Sequence, residues 1–231
     1  MVPGLPLRTN IKELVSVNQP THPRIAVLGP GAIGTTVAAA LHEVGRTPLL
    51  CGRTPRDSLT LHGSGLGIVV PGPVRTDPAQ VEGPADLVFL AVKATQPAAV
   101  AHWLAALSGP QTVVCVLQNG VEQVESVTPL CPQGRIVPAV VWFPAQAQPD
   151  GSVLLRSDAR ISLPDEAAAL VVAQALQGTR CSVDLVSNFK SLAWQKLLQN
   201  AAAGLMALTH RRSGMFGRHD ISTLTLDYLR E

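Results

Sequence analysis

At 231 residues the chain is long enough for one large domain or two modest ones around a substantial core. Charged residues make up 15% and the formal net charge is +2, so electrostatics point to neither nucleic acid nor an anionic membrane as a partner. Apolar runs are broken by Gly, Pro or charge well short of a membrane span, and the N-terminus lacks the apolar core of a signal peptide. A soluble, cytoplasmic protein is therefore expected.

Aromatic residues are only 3%, and Ala, Val and Leu carry the apolar content, as expected where helices cover both faces of a parallel sheet. The four cysteines, at 51, 115, 131 and 181, form no C-x-x-C pair, and Cys51 and Cys115 sit inside apolar runs. Buried thiols are expected rather than a disulfide framework or a metal site. The six histidines do not cluster with other ligand types, so no metal is expected.

Residues 1–23 carry four prolines and precede the first strong strand signal; they are taken as an N-terminal extension. Arg24 to Leu28 is a short apolar, β-branched run that enters a Gly29-x-Gly31-x-x-Gly34 turn. Small and apolar residues at helical spacing follow from Ile33 to Val44, Gly45 closes that helix, and Thr47 to Cys51 supplies a second strand. Strand, tight turn and helix together are expected to form a diphosphate cradle; the alternative is a glycine-rich turn of some other α/β protein. Gly29 permits the turn, Gly31 lets backbone approach a pyrophosphate, and Gly34 lets helix and strand pack closely. Beyond Pro30, which has no N–H, the first helical N–H groups, at Ala32 and Ile33, face the ligand with the positive end of the helix dipole behind them.

The residue after the second strand selects the cofactor. A carboxylate there would bind the ribose 2′-hydroxyl of NAD and repel a 2′-phosphate, whereas an arginine offers that phosphate a planar charged fork. The chain has Arg53, with Thr54 and Arg56 close by, and NADP is expected. The alternative is a solvated surface arginine, at Arg56 more readily than at Arg53.

A looser stretch from Thr54 to Gly83 holds one short strand at Leu66 to Val70. Then come a strand at Leu87 to Val92 ending at Lys93, a helix from Gln96 to Leu107, a strand from Thr112 to Leu117, and a Gln118-Asn119-Gly120 turn leading into a helix from Val121. Ligands of open parallel sheets sit outside the carboxyl ends of the strands, where Lys93 and Asn119 both fall. Taken singly, each has a plainer reading, as a snorkelling surface lysine and as a turn-forming Asn-Gly pair.

Arg135 to Phe143 is expected as one strand, and segments near Ser152 to Leu155 and Arg160 to Leu163 as a hairpin-like end of the sheet. Asp165 to Leu176 is an Ala-rich helix, and Cys181 to Leu185 a last strand. The pattern changes at Asn188. From there a long amphipathic helix runs to about Leu208, with Leu192, Ala193, Leu197, Ala201, Leu205 and Leu208 as its apolar stripe. Lys196 and Asn200 lie one turn apart on another side and can point together into a cleft, or else form a solvated pair. Ala203 and Gly204 leave room for a close approach on the next turn. The expected division is a nucleotide-binding domain over 24–187 and a helical domain over 188–231.

In order and spacing, Gly29-x-Gly31-x-x-Gly34, Arg53, Val92-Lys93-Ala94-x-Gln96, Gln118-Asn119-Gly120 and Trp194-x-Lys196-Leu197-x-x-Asn200-Ala201 resemble the ketopantoate reductase (2-dehydropantoate 2-reductase) family. The resemblance implies an α/β fold with a Rossmann-type, mainly parallel sheet followed by a truncated all-α C-terminal domain. It implies NADPH-dependent reduction of 2-dehydropantoate, a small 2-oxo acid, to pantoate in pantothenate synthesis. By the same resemblance Lys196 is the catalytic acid, and Asn119 helps bind nicotinamide or substrate. Asn200 binds substrate, Arg53 holds the 2′-phosphate, and Lys93 lies near the cofactor phosphates or substrate.

Two departures stand out. Where the family often has a second asparagine one turn on, this chain has Gly204, and the serine and glutamate of the family's later helices have no counterpart before Glu231. The chain is then either a fragment of a longer enzyme or a shortened homologue that binds NADP with little catalysis. The apolar face of Ile221 to Arg230 lacks partners and would favour a homodimer. A β-hydroxyacid-dehydrogenase-like enzyme acting on another small oxo acid is a further alternative, because Lys-x-x-x-Asn occurs there also.

Overall fold

The computed structural model describes residues 23–63, 65–93, 100–210 and 213–230. The expected extension over residues 1–22, and Ala94 and Gln96 of the Lys93 motif, lie outside the described residues.

Strand β1 (Ile25–Leu28) runs through the glycine turn into α1 (Ala32–Glu43), and β2 (Leu49–Cys51) returns parallel to β1. The looser stretch holds one strand more than expected: β3 (Ser58–Gly63) pairs antiparallel with β4 (Leu66–Pro71), the strand expected over 66–70. Leu59 and Leu61 of β3 are buried between exposed and half-buried neighbours, the period-two pattern of a strand with one covered face. The chain then crosses to β5 (Leu87–Leu90), α2 (Ala101–Leu107), β6 (Val113–Val116), α3 (Gln123–Val127) and β7 (Arg135–Pro138). A five-stranded, all-parallel sheet in the order β2-β1-β5-β6-β7 results.

That order carries a functional consequence. β2 lies on one side of β1 and β5 on the other, so the winding reverses between β1 and β5, and the carboxyl ends of these strands are where open parallel sheets hold their ligands. The strands are buried on both faces. Ile25, Val27, Leu87 and Phe89 join the core with α1, whereas Ala26, Leu28, Val88 and Leu90 join a second core with α2. This is the Rossmann-type, mainly parallel sheet expected from the sequence, followed by C-terminal helices.

The segment after β7 departs from expectation. The strand expected as one piece over 135–143 ends at Pro138, with Ala139 N–H still donating to Val116 O at 3.0 Å before the chain leaves the sheet. β8 (Val140–Val141) then joins a different sheet. The segments expected near 152–155 and 160–163 as a hairpin-like end of the main sheet instead enter two other sheets, the first of them as β10 (Val153–Leu155) beside an additional strand, β9 (Ala145–Ala147). β10 pairs parallel to β3 and antiparallel to β9, giving a four-stranded sheet in the order β4-β3-β10-β9. β11 (Ala159–Pro164), α4 (Ala167–Leu176) and β12 (Cys181–Val186) form a parallel β-α-β unit, and with β8 they make a three-stranded sheet. The layers are joined at α1, where Arg46 donates to the Ala175 and Gln177 carbonyls and Glu43 pairs with Arg180.

α5 (Phe189–Thr209) and α6 (His219–Arg230) follow. Among the described residues of α5 only Ala193 is fully buried, and Leu208 of the expected apolar stripe is 81% exposed. No helix among the described residues is long and apolar enough to cross a membrane. All four cysteines are buried and unpaired. Burial pushes the Cys51 and Cys181 thiols up to about 12 and also raises Cys115, which keeps these sulfurs as inert thiols.

The two inner glycines of the turn separate packing from access. A Cβ on Gly34 would lie 2.4 Å from the Gly29 carbonyl oxygen, whereas one on Gly31 would meet nothing within 4 Å. Gly34→Ala is expected to lower unfolding free energy by about 2 kcal/mol or more. Gly31→Ala should cost less than about 1 kcal/mol. Chemical denaturation of the two variants checks the contrast.

Candidate functional site

The carboxyl edge of the parallel sheet gathers the residues singled out in the sequence. Backbone bonds extend the ladder just past the strand ends: Gly29 N–H donates to Cys51 O at 2.9 Å, Ala91 N–H to Leu28 O at 2.8 Å, and Leu117 N–H to Leu90 O at 2.9 Å. The turn after β1, Arg53 after β2, Lys93 after β5 and Asn119 after β6 therefore lie along one edge.

At the centre of that edge Gly29 adopts φ +92°, and a Cβ there would meet Val92 Cγ1 at 2.6 Å. The glycine turn and the loop carrying Lys93 are thus packed against each other across the winding reversal. Gly31, at the N-cap of α1, is exposed, with Pro30, Ala32 and Ile33 half-buried around it. The open space at its Cβ position and the unpaired first N–H groups of a twelve-residue helix form a backbone cradle that fits a diphosphate.

The end of β2 fits the adenosine side of such a ligand. Gly52 is required there because a Cβ would meet Pro30 Cδ at 2.7 Å, and this contact seats the β2 end against the glycine turn. Arg53 follows and is exposed. Two neighbours complete the picture. Arg56 reaches away, towards the Gly151 carbonyl at 3.5 Å. Arg75, missed in the sequence, bridges to Cys51 at the sheet edge, with its N–H on Leu50 O at 2.8 Å and its carbonyl accepting from Gly52 N–H at 2.9 Å.

The opposite wall is α5. Lys196 and Asn200 project from one side of it, and Asn200 Nδ2 donates to Asn119 Oδ1 at 3.4 Å, joining the helix to the end of β6. Asn119 is held from below by Gln123, a buried side chain at the start of α3 whose Nε2 donates to the Gln118 and Ala139 carbonyls. Lys196 is half-buried, and its Nζ stands 4.7 Å from the centroid of the Trp142 ring. Partial burial pulls its ammonium below the ordinary value of 10.5. Lys93 is exposed, and Gly204 has open space at its Cβ position.

Gln123 and Trp142 were not found from the sequence. Gln123 looks like an ordinary polar helix residue, and Trp142 like the tail of an apolar strand; only tertiary contacts single them out. Among the described residues no three His, Cys, Asp or Glu side chains come together to hold a metal ion.

Comparison with known proteins adds a family. Residues 25–167 match the family model described as ketopantoate reductase PanE/ApbA. Over 208 residues the chain is 52% identical to a protein of Mycobacterium tuberculosis named 2-dehydropantoate 2-reductase, covering 90% of this chain and 70% of that one. A protein of the same name from Caulobacter vibrioides is 35% identical over 192 residues, covering 83% of this chain and 66% of that one. Among solved structures, a dimeric ketopantoate reductase from Staphylococcus aureus superposes with a TM-score of 0.75 at 26% identity, over 89% of this chain and 70% of that one.

The lowered ammonium pKa gives a direct expectation. A depressed value means that Lys196 sheds its proton at lower pH than a free lysine, so the charged form is lost as pH rises through a value below 10.5. An NMR titration of labelled lysine, assigned with Lys196→Ala, should show this. Titration at or above 10.5 would contradict the burial of the side chain.

Proposed function

This chain belongs to the ketopantoate reductase family, and from that premise we propose that it binds NADPH and reduces 2-dehydropantoate, a small 2-oxo acid, to pantoate. Cofactor binding is assigned to residues 24–187 and the proton donor to the helices from 188 onward. The observation that carries the proposal is the approach of α5 to the carboxyl edge of the sheet, with Asn200 on Asn119 and Lys196 one turn away.

The residues take complementary roles. The backbone around Gly29, Pro30, Gly31, Ala32, Ile33 and Gly34 receives the diphosphate, and Arg53 offers its fork to the 2′-phosphate. Lys93 adds positive charge beside the turn. When bound, NADPH supplies a hydride to the ketone carbon. The chain's own task is then to neutralise the negative charge that develops on the ketone oxygen. Lys196 is suited to it as a cation that can also release a proton, and its burial brings that release closer to working pH. Asn119 and Asn200, each with an amide donor and acceptor, orient the substrate between the two walls. Protonation of the alkoxide by Lys196 yields the hydroxy acid and leaves a neutral amine that regains its proton from solvent.

NADPH oxidation followed with 2-dehydropantoate tests the proposal. Lys196→Ala is expected to lose about a hundredfold or more in kcat while binding NADPH nearly normally. Arg53→Ala should weaken NADPH about 10- to 100-fold and leave NADH little changed, since only the former has the 2′-phosphate. Ordinary turnover in the first variant would remove Lys196 from the chemistry. Tight NADPH binding by the unaltered chain without turnover would instead favour a nucleotide-binding homologue.

A further inference from the structure

We propose that Trp142 is a positioning residue of the reaction centre, its indole face forming the seat that holds the Lys196 ammonium at the cleft. The role presupposes the reductase activity proposed above; the seat itself does not.

Trp142 follows β8 directly and is fixed at two points. Its backbone N–H donates to the Arg160 carbonyl at 2.9 Å, and its indole Nε1–H donates to Ser162 Oγ at 2.9 Å. Both partners belong to β11 and stand two residues apart, so both side chains share one face of the three-stranded sheet. The Arg160 guanidinium lies 5.1 Å from the ring centroid and is itself tied to Asp184 of β12 at 3.1 Å. Asp184 aligns with Ser162 across the β11–β12 ladder. The ring is therefore anchored to β11, which β12 braces, and presents its π surface to α5, where Lys196 Nζ sits 4.7 Å from the centroid.

The chemistry favours this kind of seat. A lysine side chain has several rotatable bonds and, free in solvent, spreads its ammonium over many positions. A carboxylate could fix it, but would also stabilise the proton on it and oppose release. An indole attracts the cation through its ring quadrupole, more weakly than a full negative charge does, and so holds the ammonium while opposing proton release less. Among the described residues no carboxylate pairs with Lys196, so the aromatic face is the attractive contact that the geometry supplies. Asn200, one turn along, meets Asn119, so the seat and the asparagine contact orient the same stretch of α5.

Two substitutions separate the π face from mere bulk. Trp142→Phe keeps an aromatic face and loses the indole N–H; Trp142→Leu keeps apolar volume and loses the face. In NADPH oxidation with 2-dehydropantoate, the Phe variant should retain kcat within about threefold and the Leu variant should lose about tenfold or more. Affinity for NADPH should be unchanged in both. A second measurement is independent of turnover and of the folding of any variant. In the unaltered chain with 13C-labelled lysine, the Lys196 ε-methylene protons should be shifted upfield by the indole ring current. Free-lysine shifts for these protons, or a folded Leu variant with unaltered kcat, would overturn the proposal. A ring-current shift without turnover of any 2-oxo acid supports the seat and removes the reductase activity. Normal turnover without the shift leaves the activity standing and removes the seat.

Discussion

The site depends on how α5 is held against the rest of the chain. A nucleotide-binding sheet offers backbone N–H groups and a crevice, but no group able to give a proton at the far end of the ligand. In the proposed mechanism that group is Lys196, on a helix whose own burial is slight, since Ala193 is its one fully buried residue among those described. Half-buried apolar residues such as Leu192 and Leu197 contribute, and a polar and a cation–π contact stand beside them. Asn200 meets Asn119 at the end of β6, and Lys196 lies over Trp142 on the three-stranded sheet. Interactions of these kinds contribute about 0.5–2 kcal/mol each, small for stability yet large for the population of one side-chain orientation.

Beneath that helix the supports are stiffer. The glycine turn admits no side chain at Gly29 or Gly34, and Gly52 packs on Pro30, so the ends of β1, β2 and β5 are locked together at the winding reversal. Gln123 bonds the carbonyls of Gln118 and Ala139 and thereby ties the Asn119 loop to the segment leaving β7. The same segment continues into β8 and Trp142. Gln123 under the Asn119 loop is therefore bonded to the same stretch of chain that carries Trp142.

The glycine turn, the strand ends and the Lys196–Asn200 spacing were legible because each is a local signal: a turn that only glycine allows, a continuous apolar run, and a four-residue interval on one helix. The β3 strand was equally local in its Leu59 and Leu61 alternation but was hidden by the glycines and prolines around it. β8 and β9 are too short for any period to declare itself, and the break after Pro138 sends one apolar run into two sheets. Trp142 and Gln123 could not be found by spacing, because what distinguishes them is contact with residues distant in sequence. Leu208 shows the converse error: helical periodicity names a stripe, but only tertiary packing decides whether the stripe is covered.

On the proposed mechanism the α5 lysine faces the edge of the sheet where a nicotinamide and an oxo acid would meet. A crystal structure of the chain with NADP and pantoate tests it most directly. Lys196 Nζ is expected within about 2.6–3.2 Å of the pantoate hydroxyl oxygen, with Asn119 and Asn200 on either side. Pantoate bound elsewhere, with the Lys196 ammonium facing bulk water, would contradict the account.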